Sequence, residues 1–447
     1  MALSNISISL LVIYALVCIF LGWWSSRRQT EQDYLIGSRK LGTFSFIATV
    51  IASYIGGGAL VAYTAYVYRF GISALWIYVG VALGFLVLIW YGLRIRKEGK
   101  IKNFHTISDW LRDKIDNKVA VLAAILILFV YLGSLANQFI AGGAILSAIS
   151  GLSYEFSLLF SGGVILIYLI LGGFRSVVRT DVFQYIVMLV LFIVFGFIML
   201  GEQGTFAPEL LNPVGIGVFL SISFLLYGVA TVLVGSEYWQ RVYAARDDSV
   251  VKKGLIGSAI LIIVTGLALS LIGLTAASVS PGLDPNKAAV YAFNYLLPQS
   301  LLGLGLILVF AAVMSSADTL IFVLSLSVAK DYFGHKFYKG MNQEQLMKIT
   351  RALVVIFSVL GILLAYFFRD IIQVILTIAG VLLCMVPVVV CSFHWKLKPR
   401  AAFISLLSGP IYVFILMITG NLTPELVIGS LLISGIVLAI GSVVLKR

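Results

Sequence analysis

Apolar runs long enough to cross a bilayer recur from one end of this chain to the other, and they leave no room for a water-soluble fold. A helix needs about 20 apolar residues to span the hydrocarbon core. Thirteen such runs are legible, near 5–24, 42–66, 72–95, 119–150, 155–173, 180–201, 214–236, 253–277, 300–328, 350–368, 371–394, 401–420 and 425–445. Buried strands are also apolar but far shorter. In lipid every backbone polar group must be satisfied internally, so the runs are helices. Composition agrees: 61% of the 447 residues are hydrophobic and 11% charged, where soluble domains carry roughly a quarter charged. The run at 119–150 exceeds one crossing and is expected to tilt, break or project beyond the membrane.

A net charge of +12 would suit a nucleic-acid binder, but its placement does not. When the connections are numbered alternately, 28 of the 31 basic residues fall in one set, from Arg27 and Arg28 to Lys446 and Arg447. The other set holds only Arg69, Lys287 and Arg369. That bias is the positive-inside pattern. It predicts an odd number of spans, an external N-terminus and a cytoplasmic C-terminus. No Lys or Arg precedes the first run and "GWWSSRRQ" follows it, so it reads as a retained helix rather than a cleaved signal. Cys18, Cys384 and Cys391 lie inside spans and are expected as free thiols. The longest cytoplasmic connections, near 96–118 and 329–349, and the outer loop near 278–300 are expected to carry short helices.

The second run contains "SYIGGGALV". Each glycine costs a helix about 1 kcal/mol relative to alanine, so Gly56, Gly57 and Gly58 together favour a break over close helix packing. The run at 214–236 holds Gly228 and Gly235. Carriers built from inverted repeats interrupt corresponding helices near the midplane. A single domain over 1–447 is therefore predicted, with an extra first helix at 5–24, repeat one at 42–201, repeat two at 214–394 and two further helices at 401–445. An odd number of spans per repeat inverts the second copy.

Within the run at 300–328, Ser315, Ser316 and Thr319 place hydroxyls on neighbouring turns, with Ala312 one turn earlier. Ionisable groups inside spans are costly and functional by default. Asp181 and Asp318 are the candidates. Asp181 also reads as a helix N-terminal acid beside Arg179, and Asp318 as a partner for a basic residue. Glu237 and Arg241, one turn apart in "GSEYWQR", read as a local ion pair.

Four ordered blocks carry a resemblance: "GTFSFIATVIASYIGGGALVAYTAYVYRFGISALW", "GGFRSVVRTDVFQYIV", "EYWQRVYAARDDSVVKKG" and "LILVFAAVMSSADTLIFVLSLSVAKDYF". From about Asp33 to Gln373 the chain resembles the sodium:solute symporter family, in its bacterial type. The resemblance implies an all-α integral membrane protein with a LeuT-type five-plus-five inverted repeat and about 13 transmembrane helices. It implies sodium-coupled symport, with sodium as a transported ion and not a fixed cofactor. Sodium would be held by the carbonyls of Ala52, Ile55 and Ala312 and the hydroxyls of Ser315 and Ser316. Asp181 and Asp318 would serve a second ion or the ion exit path.

The solute pocket is expected beside the breaks, at Gly56, Gly57, Gly58, Ala59, Tyr227 and Gln373. Here the chain departs from better-known members. Ala59 stands where sugar carriers have a polar side chain, and Gly58 where proline carriers have tryptophan. Glycines there would leave room for a bulkier solute, or for the backbone to do the binding. An amino acid such as proline is placed ahead of sugars, carboxylates and vitamins. A proton-coupled carrier using Asp181 or Asp318 is the rival. A channel lacks a repeated filter motif, and a membrane enzyme lacks a Ser/His/Asp or metal constellation. The expected partners are a small solute and the bilayer, with no nucleic acid and no obligate protein partner.

Overall fold

The computed structural model describes residues 5–27, 29–202, 206–298, 301–330, 342–368 and 371–445, and it is almost entirely helical. In chain order come α1 (Asn5–Ser26), α2 (Glu31–Ile36), α3 (Thr43–Tyr54), α4 (Gly57–Phe70) and α5 (Trp76–Lys102). Next are α6 (Ile107–Lys114), α7 (Asn117–Ser150), α8 (Tyr154–Glu202), α9 (Val218–Val234) and α10 (Ser236–Ala244). Then follow α11 (Asp248–Val279), α12 (Ala288–Leu296), α13 (Leu302–Ser327), α14 (Gln343–Phe367) and α15 (Ile371–Leu383). The chain closes with α16 (Met385–His394), α17 (Pro399–Ile418), α18 (Pro424–Val427) and α19 (Gly429–Val444).

Among the described residues, ten helices are long and apolar enough to cross a membrane, or eleven if a bent pair counts as one span. The expected thirteen are not found as thirteen separate helices. Two of the ten are continuous stretches of 46 and 45 residues, Gly57–Lys102 and Tyr154–Ile198, each about twice the length one crossing needs. They bend internally at glycines with positive φ, Gly71 at 61° and Gly173 at 54°, a backbone region that glycine enters without strain. The long run at 119–150 is one unbroken helix, α7.

Both expected interruptions are present. α3 ends at Tyr54, Ile55 leaves helical geometry with ψ at 77°, and α4 starts at Gly57. The second lies at Gly235, where α9 and α10 meet at 46°. α13 runs through the middle of the protein with 94% of its apolar window buried, as expected for a helix that is apolar all round. It packs against α7, α8 and α3, while α1 lies along α8 and α5 along α9.

The short helices fall near their predicted places, α6 in the 96–118 connection and α12 in the 278–300 loop. α6 is not a surface helix, because Trp110 and Leu111 on it are fully buried. In the 329–349 connection, residues 331–341 lie outside the described residues. So do Arg28, Arg369, Lys446 and Arg447 of the basic residues counted above. Cys18, Cys384 and Cys391 are free.

One end of the bundle is sealed. Leu41 and Ala245 form a parallel bridge that ties the start of α3 to the end of α10. Arg39 donates to the Tyr243 carbonyl at 2.8 Å and the Phe104 carbonyl at 3.0 Å. Arg96 donates to the Ala245 and Arg246 carbonyls at 3.2 and 2.7 Å. Lys330 reaches Asp109 at 2.6 Å, His105 at 2.7 Å and the Asn103 carbonyl at 2.8 Å. Burial first, and the Lys330 ammonium second, push the His105 imidazole down to about 3. It is therefore neutral at physiological pH and accepts from Lys330.

Candidate functional site

The break in the first interrupted helix frees carbonyls that a continuous helix would use. In an α-helix the Ala52 carbonyl would accept from the N–H four residues on, but Gly56 N–H turns to the Tyr54 carbonyl at 2.9 Å. The Ala52 carbonyl instead takes the Ser315 hydroxyl at 2.9 Å, and the same hydroxyl lies 3.1 Å from the Ala312 carbonyl. Ser316 Oγ sits 3.0 Å from the Ser53 carbonyl. Four of the five expected sodium ligands thus gather between the end of α3 and the middle of α13. The fifth, Ile55, is fully buried at the break just beyond Ala52. Carbonyl and hydroxyl oxygens suit a hard cation, and the negative end of the α3 dipole favours one there.

A second polar cluster, not foreseen as a unit, joins this site through Ser53 and Thr319. Arg241 is fully buried, and its Nη2 lies 3.0 Å from Thr49 Oγ1, 2.9 Å from Ser53 Oγ, 2.8 Å from Thr319 Oγ1 and 3.4 Å from Asp181 Oδ2. Thr49 also donates a short hydrogen bond to Asp181. Of Glu237, Arg241 reaches only the backbone carbonyl, at 3.4 Å. The expected Glu237–Arg241 ion pair is not formed, because α10 aims the two side chains at different neighbours. Arg241 also leaves the loop set used in the charge count, since it lies in the core. Asp181 is mid-helix in α8 rather than at a helix N-terminus. Asp318 faces hydroxyls instead of a basic group: Tyr168 donates to it at 2.8 Å and Thr180 at 3.2 Å. Asp181 Oδ1 and Asp318 Oδ1 are buried without a hydrogen-bond partner among the described residues.

Beside the serine pair opens a cavity of about 650 Å³ lined by Ser53, Ser316, Tyr131, Gln138, Tyr227 and Glu237, among others. It shares Tyr54, Ser134, Gln138, Tyr227 and Ile378 with a second cavity of about 710 Å³ that reaches Ala59, Tyr63, Tyr66, Tyr78 and Asn137. The expected pocket residues Ala59 and Tyr227 lie on this surface. Gln373, on the first turns of α15, is exposed. The three glycines do not leave room for a bulky solute. A Cβ at Gly56 would collide with the Gln138 amide, at Gly57 with Val313, and at Gly58 with Asn137. Gly58 N–H also donates to Gln138 Oε1 at 3.2 Å. Asn137 and Gln138 went unnoticed in the sequence, although adjacent amides inside an apolar run are a readable signal. Gly58→Ala is expected to lower stability by about 1–3 kcal/mol through overpacking against Asn137, read as an earlier thermal unfolding midpoint in detergent.

Comparisons with known proteins agree with this geometry. The model of the sodium:solute symporter family matches residues 34–409. Sodium/proline symporters of Staphylococcus aureus strains JH9 and N315 are 24% identical over 438 residues, covering 91% of this chain and 85% of theirs. A solved sodium-coupled sialic acid symporter, substrate-bound and outward-open, superposes with a TM-score of 0.86 at 17% identity, covering 98% of this chain and 96% of its own. A nucleobase-cation-symport-1 family transporter in a closed conformation gives 0.60 at 12% identity, covering 93% of this chain and 96% of its own. These structures share the LeuT-type fold with this chain. With a family model matched over most of its length and an oxygen-lined break in a many-span bundle, the chain belongs to the sodium:solute symporter family and is a multi-pass membrane transporter, not an enzyme, that couples a small solute to transported sodium.

Proposed function

We propose that sodium binds between α3 and α13, on the Ala52, Ile55 and Ala312 carbonyls and the Ser315 and Ser316 hydroxyls, and that the solute binds in the adjoining cavity. The observation that carries this reading is the pairing of freed α3 carbonyls with the α13 serines at 2.9–3.1 Å. Ser316 lines the cavity as well, so ion and solute would share a wall. Proline or a related amino acid is the solute class that the curated relatives support. The interrupted helices α3/α4 and α9/α10 would open the two inverted repeats, 42–201 and 214–394. The basic, sealed end would face the cytoplasm, with an external N-terminus and a cytoplasmic C-terminus, and the cavity would be approached from outside. Sodium must bind one facing state better than the other, or it shifts nothing.

Uptake into proteoliposomes tests the coupling. Replacing external sodium with potassium or choline is expected to abolish solute accumulation. Accumulation that persists on a proton gradient alone would overturn sodium coupling and point to Asp181 or Asp318 as a proton carrier.

A further inference from the structure

The cavity lining holds one kind of acidic side chain. Across the two connected cavities, Glu237 is the acidic residue, and among the described residues no Lys, Arg or His lines either. Its carboxylate accepts from the Tyr131 hydroxyl, and it has no ion pair among the described residues. Arg241, the base nearest in sequence, is committed to Asp181, Thr49, Ser53 and Thr319. Glu237 lies in the first turn of α10, a helix of nine residues, where the positive end of the dipole stabilises a negative charge. Seven tyrosines surround the same space: Tyr54, Tyr63, Tyr66, Tyr78, Tyr131, Tyr227 and Tyr238. Two of the lining residues, Asn137 and Tyr78, carry a buried oxygen, Oδ1 and the hydroxyl, without a hydrogen-bond partner among the described residues.

A carboxylate in a largely apolar cavity is costly until a counter-charge arrives. Tyrosine faces attract cations through the ring quadrupole, the arrangement that recognises substituted ammonium groups. An anionic solute would meet Glu237 with no lining base to offset it, and a neutral polyol would leave the charge unmatched. We propose that the co-transported solute carries a positively charged nitrogen, and that Glu237, backed by the tyrosine wall, binds it. This rests on the reading of the cavity as the solute site, and it narrows that reading to amines, quaternary ammonium compounds and amino-acid zwitterions.

The test is thermal stabilisation of the purified full-length protein, measured with and without saturating sodium. The probes are L-proline, pyrrolidine, glycine betaine and choline, each with a positive nitrogen, against benzoate and glucose, which have none. At least one nitrogen probe is expected to stabilise the wild type, and neither benzoate nor glucose. Glu237→Gln is expected to weaken that probe roughly 30-fold or more, while the shift given by sodium alone is unchanged. If the glutamine variant does not fold, Glu237→Asp must weaken the same probe at least about 10-fold. Stabilisation by benzoate or glucose, an unaltered affinity in the glutamine variant, or silence from every nitrogen probe would overturn the proposal. A nitrogen probe that binds with no response to sodium would leave this proposal standing and remove the sodium reading instead.

Discussion

Replacing Ser315 with alanine is expected to weaken sodium binding about 10- to 100-fold and to stall sodium-driven uptake. The hydroxyl is shared by the Ala52 and Ala312 carbonyls at 2.9 and 3.1 Å, so it sits where both helices converge on the proposed sodium site. Its removal takes away one proposed oxygen ligand and one of the bonds that hold α3 to α13. A lost interaction to a charged group costs about 1–3 kcal/mol, and every 1.4 kcal/mol is about tenfold in affinity. Sodium titration followed by thermal shift or tryptophan fluorescence would read the change. Ser325→Ala is the control, because Ser325 bonds only back to the Ile321 carbonyl of its own helix at 2.6 Å. A Ser315→Ala protein that titrates like the wild type would move the sodium site elsewhere.

Arg241→Met is expected to cost more than any other single change at the site. The guanidinium is fully buried and serves Asp181, Thr49, Ser53 and Thr319 together. Removing one partner of a buried pair strands the other, typically at about 3–5 kcal/mol. The variant should unfold at a much lower temperature in detergent, or fail to accumulate. Adding Asp181→Asn to it should recover much of the loss, since the stranded charge is then gone. Arg241→Lys should fall between, because a compact ammonium cannot span the positions that the planar fork reaches. An Arg241→Met protein within about 1 kcal/mol of the wild type would show that the cluster is held by its hydroxyls alone.

What could be read from the chain was whatever is local to it. The glycine run announces its break because three glycines weaken a helix wherever they sit, and Ser315 and Ser316 are one turn from Ala312 in any helix. The Arg241–Asp181 contact joins positions 60 residues apart, and only the packing of both α10 and α8 against α3 and α13 brings them together. The error over Glu237 has the same root. A four-residue spacing says that two side chains share a helix face, not that they share surroundings, and here one enters a cavity and the other the core. The glycines of the first break misled in another way. Missing side chains suggest empty space in a sequence, whereas in the fold Val313, Asn137 and Gln138 fill it. The span count depended on treating every crossing as a separate helix, while the folded chain runs on through Gly71 and Gly173 with bends in place of stops.

The sealed end has a consequence for anyone mapping it by mutation. Arg39, Arg96 and Lys330 hold five backbone carbonyls, those of Tyr243, Phe104, Ala245, Arg246 and Asn103. An alanine scan changes side chains and leaves peptide groups alone, so it would register the donors and pass over most of the acceptors. Half of the lock would be invisible to genetics. It would come into view only through methods that report on the main chain, such as amide exchange or ester substitution of single peptide bonds.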